Sequence, residues 1–506
     1  MTTTGRTDAG LCQAAEAMAR RFLPDARDLM IEPLGHGLIN ETWLVKCVAD
    51  RFVLQKVNRN VFADANAITA NLLRVQDWLA EHQEFNVRFP RLLRDATGQA
   101  TVRDSDDHAW RLMEYIDHSR VVKPLKNLSQ ASAVGRTLGR FHAALAGLDP
   151  AAMTLTLPDL HDTPRYRRQL DAALRKPVRP ITAEVTRALA PIDARADLVP
   201  TLQRAIQDGT LSQQVTHGDP KLDNVLFDLD SDRALCLVDL DTVQPGLLHY
   251  DIADCLRSCC NRSAAEEPEP TARFDLEVGC AILGGYAEVA AHLFDHDAVS
   301  LLYPAIRLIP LELAMRFLTD HLQGDSYFRV THPRQNLAKA QIQLALVKDI
   351  EAKRTKIEAV IGNCFSGSKT PLAKGTTPSA SAASLDRKSA QIACAQRALA
   401  QLAELLEGLH HPRAPEVRGL MEDLPDDPAN TWRTLNGNDW WAGAGSLAAE
   451  TMADNPGMQP EQWQAEIRHF RELLIELGEI LQAQGETNPG LGSWLLAFRN
   501  WNSSGV

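Results

Sequence analysis

Hydrophobic spacing changes character three times along the chain. Between residues 28 and 116 apolar and polar positions alternate in short runs. Ile31-Glu-Pro-Leu and Glu41-Thr-Trp-Leu-Val45 read as two strands around a glycine-bearing turn at Gly35, His36 and Gly37. Arg51 to Val57 reads as a third strand and Arg111 to Ile116 as a strand leaving the lobe, with helical spacing between them over Ala67 to Glu81. From Val134, Leu138, Phe141 and Leu145 onward the period lengthens to that of a helix. This helix-rich stretch runs to about residue 362 and is interrupted by one predicted hairpin, Asn224 to Phe227 with Ala234 to Val238. Small, polar and proline-containing residues then replace the pattern, which predicts a disordered linker over 363–388. Helical periodicity returns at Leu399, Leu402, Leu405, Leu406 and Leu409, and again at Phe470, Leu473, Leu474, Leu477, Ile480 and Leu481.

The expected organisation is therefore α+β. A strand-rich lobe spans 25–116, a helical lobe 117–362, the linker 363–388 and a small all-α domain 389–506. Composition sharpens the last boundary. Residues 389–506 contain no lysine, seven arginines and sixteen acidic residues, about −9 of the chain's net −12, together with six of its nine tryptophans. A Trp-rich set at helical spacing predicts core rather than binding surface. The acidic balance argues against nucleic acid as a partner. No run approaches the ~20 apolar residues of a membrane span, and nine scattered cysteines without metal-ligand spacing fit free thiols in a reducing compartment. The expectation is a cytoplasmic protein acting on a small molecule.

The chemistry concentrates in His217-Gly-Asp219-Pro-Lys221-Leu-Asp-Asn224, just before the first hairpin strand, and in Asp239 and Asp241 after the second. This inventory suits phosphoryl transfer. Asp219 can orient an acceptor hydroxyl and take its proton, and Lys221 can cover charge developing on the transferred group. Asn224 and Asp239 can hold the Mg2+ that bridges the phosphates of ATP. Order and spacing echo the kinase catalytic loop and its metal aspartate. Gly35 and Gly37 can admit phosphates to backbone N–H groups. Lys56 is the expected strand cation for the phosphates, with Gln55 taking the cleft-facing place if the strand phase differs by one. Glu114 and Ile116, at the end of the strand leaving the lobe, complete the expected nucleotide set. Asp241 reads either as a further metal or sugar ligand or as a cap or turn residue.

These features resemble the aminoglycoside phosphotransferase and choline kinase superfamily, whose two-lobed fold is protein-kinase-like. Three stretches are similar to the N-acetylhexosamine 1-kinases: Gly35-His-Gly-Leu-Ile-Asn40-Glu-Thr, Val238-Asp-Leu-Asp-Thr-Val-Gln-Pro-Gly-Leu-Leu-His-Tyr-Asp251-Ile-Ala-Asp254, and Pro310-Leu-Glu312-Leu-Ala-Met-Arg316-Phe-Leu-Thr-Asp320-His-Leu-Gln-Gly-Asp325-Ser-Tyr327-Phe. The resemblance covers roughly residues 25–360 and leaves 389–506 outside it. It implies Asp219 as base, Asn224 and Asp239 as metal ligands, and Arg316 and Tyr327 as sugar contacts, unless Arg316 instead pairs with Glu312 or Asp320 on its own helix. One departure stands out. Leu38 replaces the histidine of a Gly-His-Ile-Asn run, so a polar contact to the sugar is missing or comes from His36. The expected activity is ATP- and Mg2+-dependent phosphorylation of the anomeric hydroxyl of GlcNAc or GalNAc. Its rivals are a kinase for an aminoglycoside, amino alcohol or other sugar, and a non-catalytic binding protein on the same scaffold.

Overall fold

The computed structural model describes the chain apart from residues 1–7, 35–39, 49, 60, 63, 83–84, 86, 265–270, 366–379, 443–444, 451–459, 485–487, 489 and 505–506. It divides into two compact units, Met1–Pro371 and Leu372–Val506.

The first unit begins with helix α1 (Asp8–Phe22) and strands β1 (Met30–Pro33), β2 (Glu41–Lys46) and β3 (Arg51–Lys56). Helix α2 (Ala65–Glu81) and strands β4 (Val102–Arg103) and β5 (Ala109–Glu114) complete the small lobe. Its five-stranded sheet has the order β1-β2-β3-β5-β4, and its described pairs are antiparallel. Alternation sorts the side chains by face. Trp43, Leu54 and Leu112 stand opposite one another, and with Trp110 they pack on Ala15, Met18, Ala19 and Phe22 of α1. Thr42, Gln55 and Arg111 form the neighbouring row, on the opposite face. Helix α2 starts where the Asp64 carboxylate accepts from the backbone N–H groups of Asn66 and Ala67, an N-cap that meets two otherwise orphaned donors.

Beyond β6 (Ser119–Val121) the chain is mainly helical: α3 (Leu128–Leu145), α4 (Thr163–Arg175), α5 (Ala183–Asp193) and α6 (Thr201–Gln207). Strands β7 (Gln214–Thr216), β8 (Val225–Asp228), β9 (Ala234–Leu237) and β10 (Gln244–Gly246) then carry the motif-bearing loops. Helix α7 (Leu248–Cys259), strands β11 (Asn261–Ala264) and β12 (Thr271–Phe274), and helices α8 (Leu276–Ala290), α9 (His296–Ser300), α10 (Leu302–Leu322), α11 (Gln335–Ala352) and α12 (Arg354–Phe365) follow. The predicted hairpin is present as β8 and β9, with β6 on its other edge. The β11–β12 hairpin was not read from the sequence. Helices α3 and α8 cross so closely that a Cβ on Gly135 would lie 2.0 Å from the Ile282 carbonyl oxygen, so only glycine fits there.

The second unit holds α13 (Ala380–Gly408), α14 (Ala414–Asp423), α15 (Pro428–Leu435), α16 (Asn438–Trp441), α17 (Leu447–Glu450), α18 (Pro460–Gln484) and α19 (Leu491–Ser504). Its own core gathers Leu399, Leu402, Leu406, Trp440, Trp441, Leu474 and Phe498. The stretch 363–388, expected as a linker, overlaps the helices on either side. Residues 363–365 end α12, helix α13 already begins at 380, and 366–379 lie outside the described residues. Among the described residues no helix is long and apolar enough to cross a membrane.

Candidate active site

Two turns bring the motif residues together. The first follows β7. Gly218 adopts φ +84°, and a Cβ there would meet the Thr242 carbonyl oxygen at 2.7 Å, so the His217-Gly-Asp219 turn requires glycine on both counts. The second follows β9, where Asp239 itself is left-handed at φ 63° and ψ 53°. That conformation is uncommon for a residue with a side chain and is tolerated best by Asp and Asn.

Asp251 on α7 holds the first turn from behind. Its Oδ2 accepts from the His217 backbone N–H at 2.7 Å and lies 2.9 Å from His142 Nε2, while Oδ1 accepts from the Gly218 N–H at 2.9 Å. Both side chains of the His142–Asp251 pair are fully removed from solvent. Although burial alone would raise the Asp251 carboxyl, His142 and these donors hold it below the usual carboxylate range. Burial pushes the pKa of the His217 ring below the usual imidazole value. Its Nδ1 accepts from the Asp219 N–H at 3.3 Å, and Nε2 lies 3.1 Å from the Val238 carbonyl oxygen. His217 thus spans the two turns and sets their spacing.

Asp219 and Lys221 form an ion pair between Nζ and Oδ2, with each side chain about a quarter to a third exposed. Burial would lower the Lys221 pKa, but the Asp219 charge raises it. Asn224 donates its amide to the Asp219 carbonyl oxygen at 2.8 Å and to Asp219 Oδ2 at 3.2 Å, which leaves its own carbonyl oxygen as the atom to offer a cation. Asp239 is reached by solvent, yet protein surrounds it closely. That crowding raises its carboxyl above the usual range, as does the charge of Asp241 and then of Asp219, with Lys221 and Arg111 opposing. This excess of negative charge fits a divalent cation. Among the described residues no three His, Cys, Asp or Glu side chains close a metal site by themselves. A cation held by Asn224 and Asp239 would therefore take its remaining oxygens from phosphates and water, as Mg2+ does at nucleotide sites.

Three expectations change, two of them for the small lobe. Lys56 shares a face with Leu54, opposite to Gln55, because strand neighbours alternate. Its Nζ lies 3.3 Å from Glu41 and 6.0 Å from the centroid of Trp110, so the strand phase removes it from the row facing Asp241. Asp241 is occupied on both oxygens: Oδ2 accepts from Asn40 Nδ2 at 2.7 Å, and Oδ1 pairs with Arg111. With both side chains 2% exposed, it is a link between lobes rather than a free ligand. The side chain of Glu114 is held bidentately by Arg91, at 2.5 to 3.0 Å, so what residue 114 can offer a nucleotide is backbone. Ile116 is buried, its carbonyl accepting from Ser119 Oγ, and it borders a depression lined also by Arg51, Phe89, Arg91 and Tyr115. Gly35, His36 and Gly37 lie outside the described residues.

On the acceptor side, the Arg316 guanidinium lies 4.9 Å from the ring centroid of Tyr166, 5.7 Å from Phe328 and 6.0 Å from Tyr327. The acids on its own helix are engaged elsewhere. Glu312 lies 3.1 Å from His161 Nδ1 and accepts from Thr163 Oγ1 at 2.7 Å, and Asp320 accepts from the Tyr327 and Phe328 N–H groups and from Asn336. Tyr327 is 64% exposed, and its hydroxyl lies within hydrogen-bonding reach of the Arg316 guanidinium. Sequence reasoning missed Arg111, His142, His161 and Tyr166 as site residues, and it read Asn40 and Asp251 only as parts of strings. A charge at mid-strand between Trp110 and Leu112 was the available signal for Arg111. The others become visible only when distant helices meet.

A family model described as the phosphotransferase enzyme family (APH) matches residues 30–292, just over half of the chain. Among solved structures, a microcompartment-associated aminopropanol kinase is 18% identical, with 69% of this chain and 98% of that one covered at a TM-score of 0.47. A putative aminoglycoside phosphotransferase from Ralstonia eutropha is 15% identical, covering 68% and 98% at 0.46. An amicoumacin kinase in complex with AMP-PNP and Ca2+ is also 15% identical, covering 67% and 93% at 0.46. The chain belongs to the phosphotransferase enzyme family, and its chemistry is phosphoryl transfer to a small molecule.

Proposed function

We propose that the protein phosphorylates the anomeric hydroxyl of an N-acetylhexosamine such as GlcNAc or GalNAc. Bound ATP and Mg2+ supply the phosphoryl group and neutralise its charge. Asp219 orients the acceptor hydroxyl and accepts its proton, a modest demand because a hemiacetal hydroxyl is more acidic than an ordinary alcohol. Lys221 holds the Asp219 carboxylate in place and offers a positive charge beside the transferred group. Asn224 and Asp239 are the cation's protein ligands.

The observation that carries the acceptor assignment is Arg316 set among Tyr166, Tyr327 and Phe328. A planar donor fork beside flat rings suits a sugar face with an acetamido oxygen. Two buried atoms add polar capacity nearby: His161 Nε2 and Asp254 Oδ2 have no hydrogen-bond partner among the described residues. An aminoglycoside is a polycation and favours unpaired carboxylates. Here Asp254 carries its charge beside Arg257, at 2.6 Å, and Glu312 lies 3.1 Å from His161, so neither is an unpaired carboxylate.

A panel of sugars, aminoglycosides and amino alcohols with ATP and Mg2+, read by ADP release and product mass, tests the assignment. Product phosphate is expected on C1, and a 1-O-methyl glycoside is expected to be inert. Phosphate on C6, or turnover only with aminoglycosides or choline, would refute it. Arg316→Ala should raise the sugar KM with little change in kcat if its contact is equal in ground and transition states.

A further inference from the structure

Thr42, Gln55 and Arg111 stand side by side across β2, β3 and β5, on the sheet face that meets Asp241 and the loop bearing Asp239. In that row the basic side chain is Arg111. The β3 position that shares its face is Gln55, which carries no charge, and Lys56 points the other way toward Glu41. Arg111 is itself held firmly. Its Nε and one terminal nitrogen donate to Gln55 Oε1 at 3.1 and 2.6 Å, and the same terminal nitrogen pairs with Asp241. Asn40 fixes the second oxygen of Asp241 and accepts from the Asn58 N–H at 3.0 Å.

The remaining terminal nitrogen of Arg111 has no partner among the described residues, although the residue is 1% exposed. A dry, unmatched donor on a charged group is costly, and a purely structural ion pair has no reason to leave one. We propose that Arg111 is the small-lobe cation for the phosphates of the bound nucleotide, with Gln55 and Asp241 holding its guanidinium in place. A guanidinium can do both at once, since its planar fork binds protein along one edge and presents another to an oxyanion. A lysine at this position has no such second edge. The field of Arg111 also acts on Asp239, which places it within electrostatic reach of the metal-ligating carboxylate. Asp241 is thereby a positioning residue for Arg111 rather than a metal or sugar ligand. This inference rests on the phosphotransferase reading of the site.

Calorimetric titration of the full chain with Mg2+·ADP and, separately, with adenosine tests it without turnover. Arg111→Gln is expected to weaken Mg2+·ADP binding by about tenfold or more, the usual scale for a charge-assisted contact, while adenosine affinity stays within about twofold. Arg111→Lys should fall between, and Lys56→Ala should bind Mg2+·ADP as the unaltered chain does. A folded Arg111→Gln protein with unchanged Mg2+·ADP affinity would overturn the proposal. So would equal loss of ADP and adenosine binding, which marks a merely structural role. If Arg111→Gln does not fold, the double variant Arg111→Met with Asp241→Leu replaces the pair by apolar groups of similar size, an exchange buried ion pairs often tolerate. Loss of the phosphate-dependent part of the affinity in that variant supports the assignment, and its retention overturns it. Failure of the unaltered chain to bind Mg2+·ADP at all is a separate result that refutes the phosphotransfer reading itself.

Discussion

The two units bury polar groups to different ends. In the first, Arg111, Asp241, Asp251, Glu312, Asp320, His142 and His217 are almost dry, and each is tied into a network. Those of Asp251 and Asp241 reach the two catalytic turns directly. In the second, the neutral buried polar residues fasten helix ends and loops, while the buried Arg471 lies 5.0 Å from the Trp501 ring centroid. Thr431 Oγ1 donates to the Asp427 carbonyl oxygen at 2.9 Å, and Asn488 ties to Asn436 and Asn438 at 2.8 to 3.2 Å. Burying a charge costs far more than burying a neutral amide, even when it is paired. Concentrated, matched charges therefore mark where the first unit does chemistry.

The largest effects should follow from breaking the first kind of network at its exposed end. Asp219→Asn is expected to lower kcat by at least about 10²-fold, the usual span for a positioned general base, with the melting transition nearly unchanged. Asp239→Ala should abolish the Mg2+ dependence of nucleotide binding. Turnover of a folded Asp219→Asn protein near the original rate would remove Asp219 from the mechanism.

Breaking the same network at its buried end should cost stability as well. Asp251→Ala leaves two backbone donors and His142 without their acceptor, and the first unit should lose about 3–5 kcal/mol in denaturant unfolding. Asn488→Ala, its neutral counterpart in the second unit, should cost only about 1–3 kcal/mol and leave kinase turnover alone. Equal losses at the two sites would erase the contrast between the units.

That contrast also explains what the sequence disclosed. Local spacing made β3, β5, α3 and the β8–β9 hairpin legible, because period-2 and helical apolar patterns report burial directly. The grouping of Asp219, Lys221 and Asn224 was legible because one turn carries all three. Strand phase was not. Whether Gln55 or Lys56 faces the cleft depends on which side α1 covers, and that side is decided by Ala15, Met18, Ala19 and Phe22, far away in the chain. The same holds for Asp241, whose partners Asn40 and Arg111 are 201 and 130 positions distant. Turn chemistry alone cannot reveal an ion pair that closes across two lobes.

A buried histidine outside these networks gives a smaller, pH-dependent effect. Burial depresses the pKa of His249 to about 4 against the opposing bond to the Ala298 carbonyl oxygen at 2.7 Å. In the unfolded chain the group titrates near ~6.5. Stability is thus full above that value and falls as pH drops toward 4, by up to roughly 3 kcal/mol. His249→Gln keeps a donor for Ala298 and removes the proton uptake. The loss of stability of the first unit between pH 7 and pH 5 should shrink by about 2 kcal/mol. An unchanged difference would assign acid sensitivity to other groups.

The smallest expected effect is on turnover when the second unit is removed. Each unit has its own core, and the first closes on Phe365, whose ring meets Phe294 at 5.3 Å and Tyr286 at 6.3 Å. A chain ending at Pro371 keeps this closure and both catalytic turns, and it should retain kcat and sugar KM within about twofold. A chain ending at Gly362 loses Phe365 and should be destabilised by about 3–5 kcal/mol, the cost of deleting a buried phenylalanine. Comparing the two separates a folding loss from a functional one. If the chain ending at Pro371 melts normally but turns over slowly, and adding residues 372–506 in trans restores the rate, the helical unit completes or regulates the site. The expectation that the first unit carries the chemistry by itself would then fail.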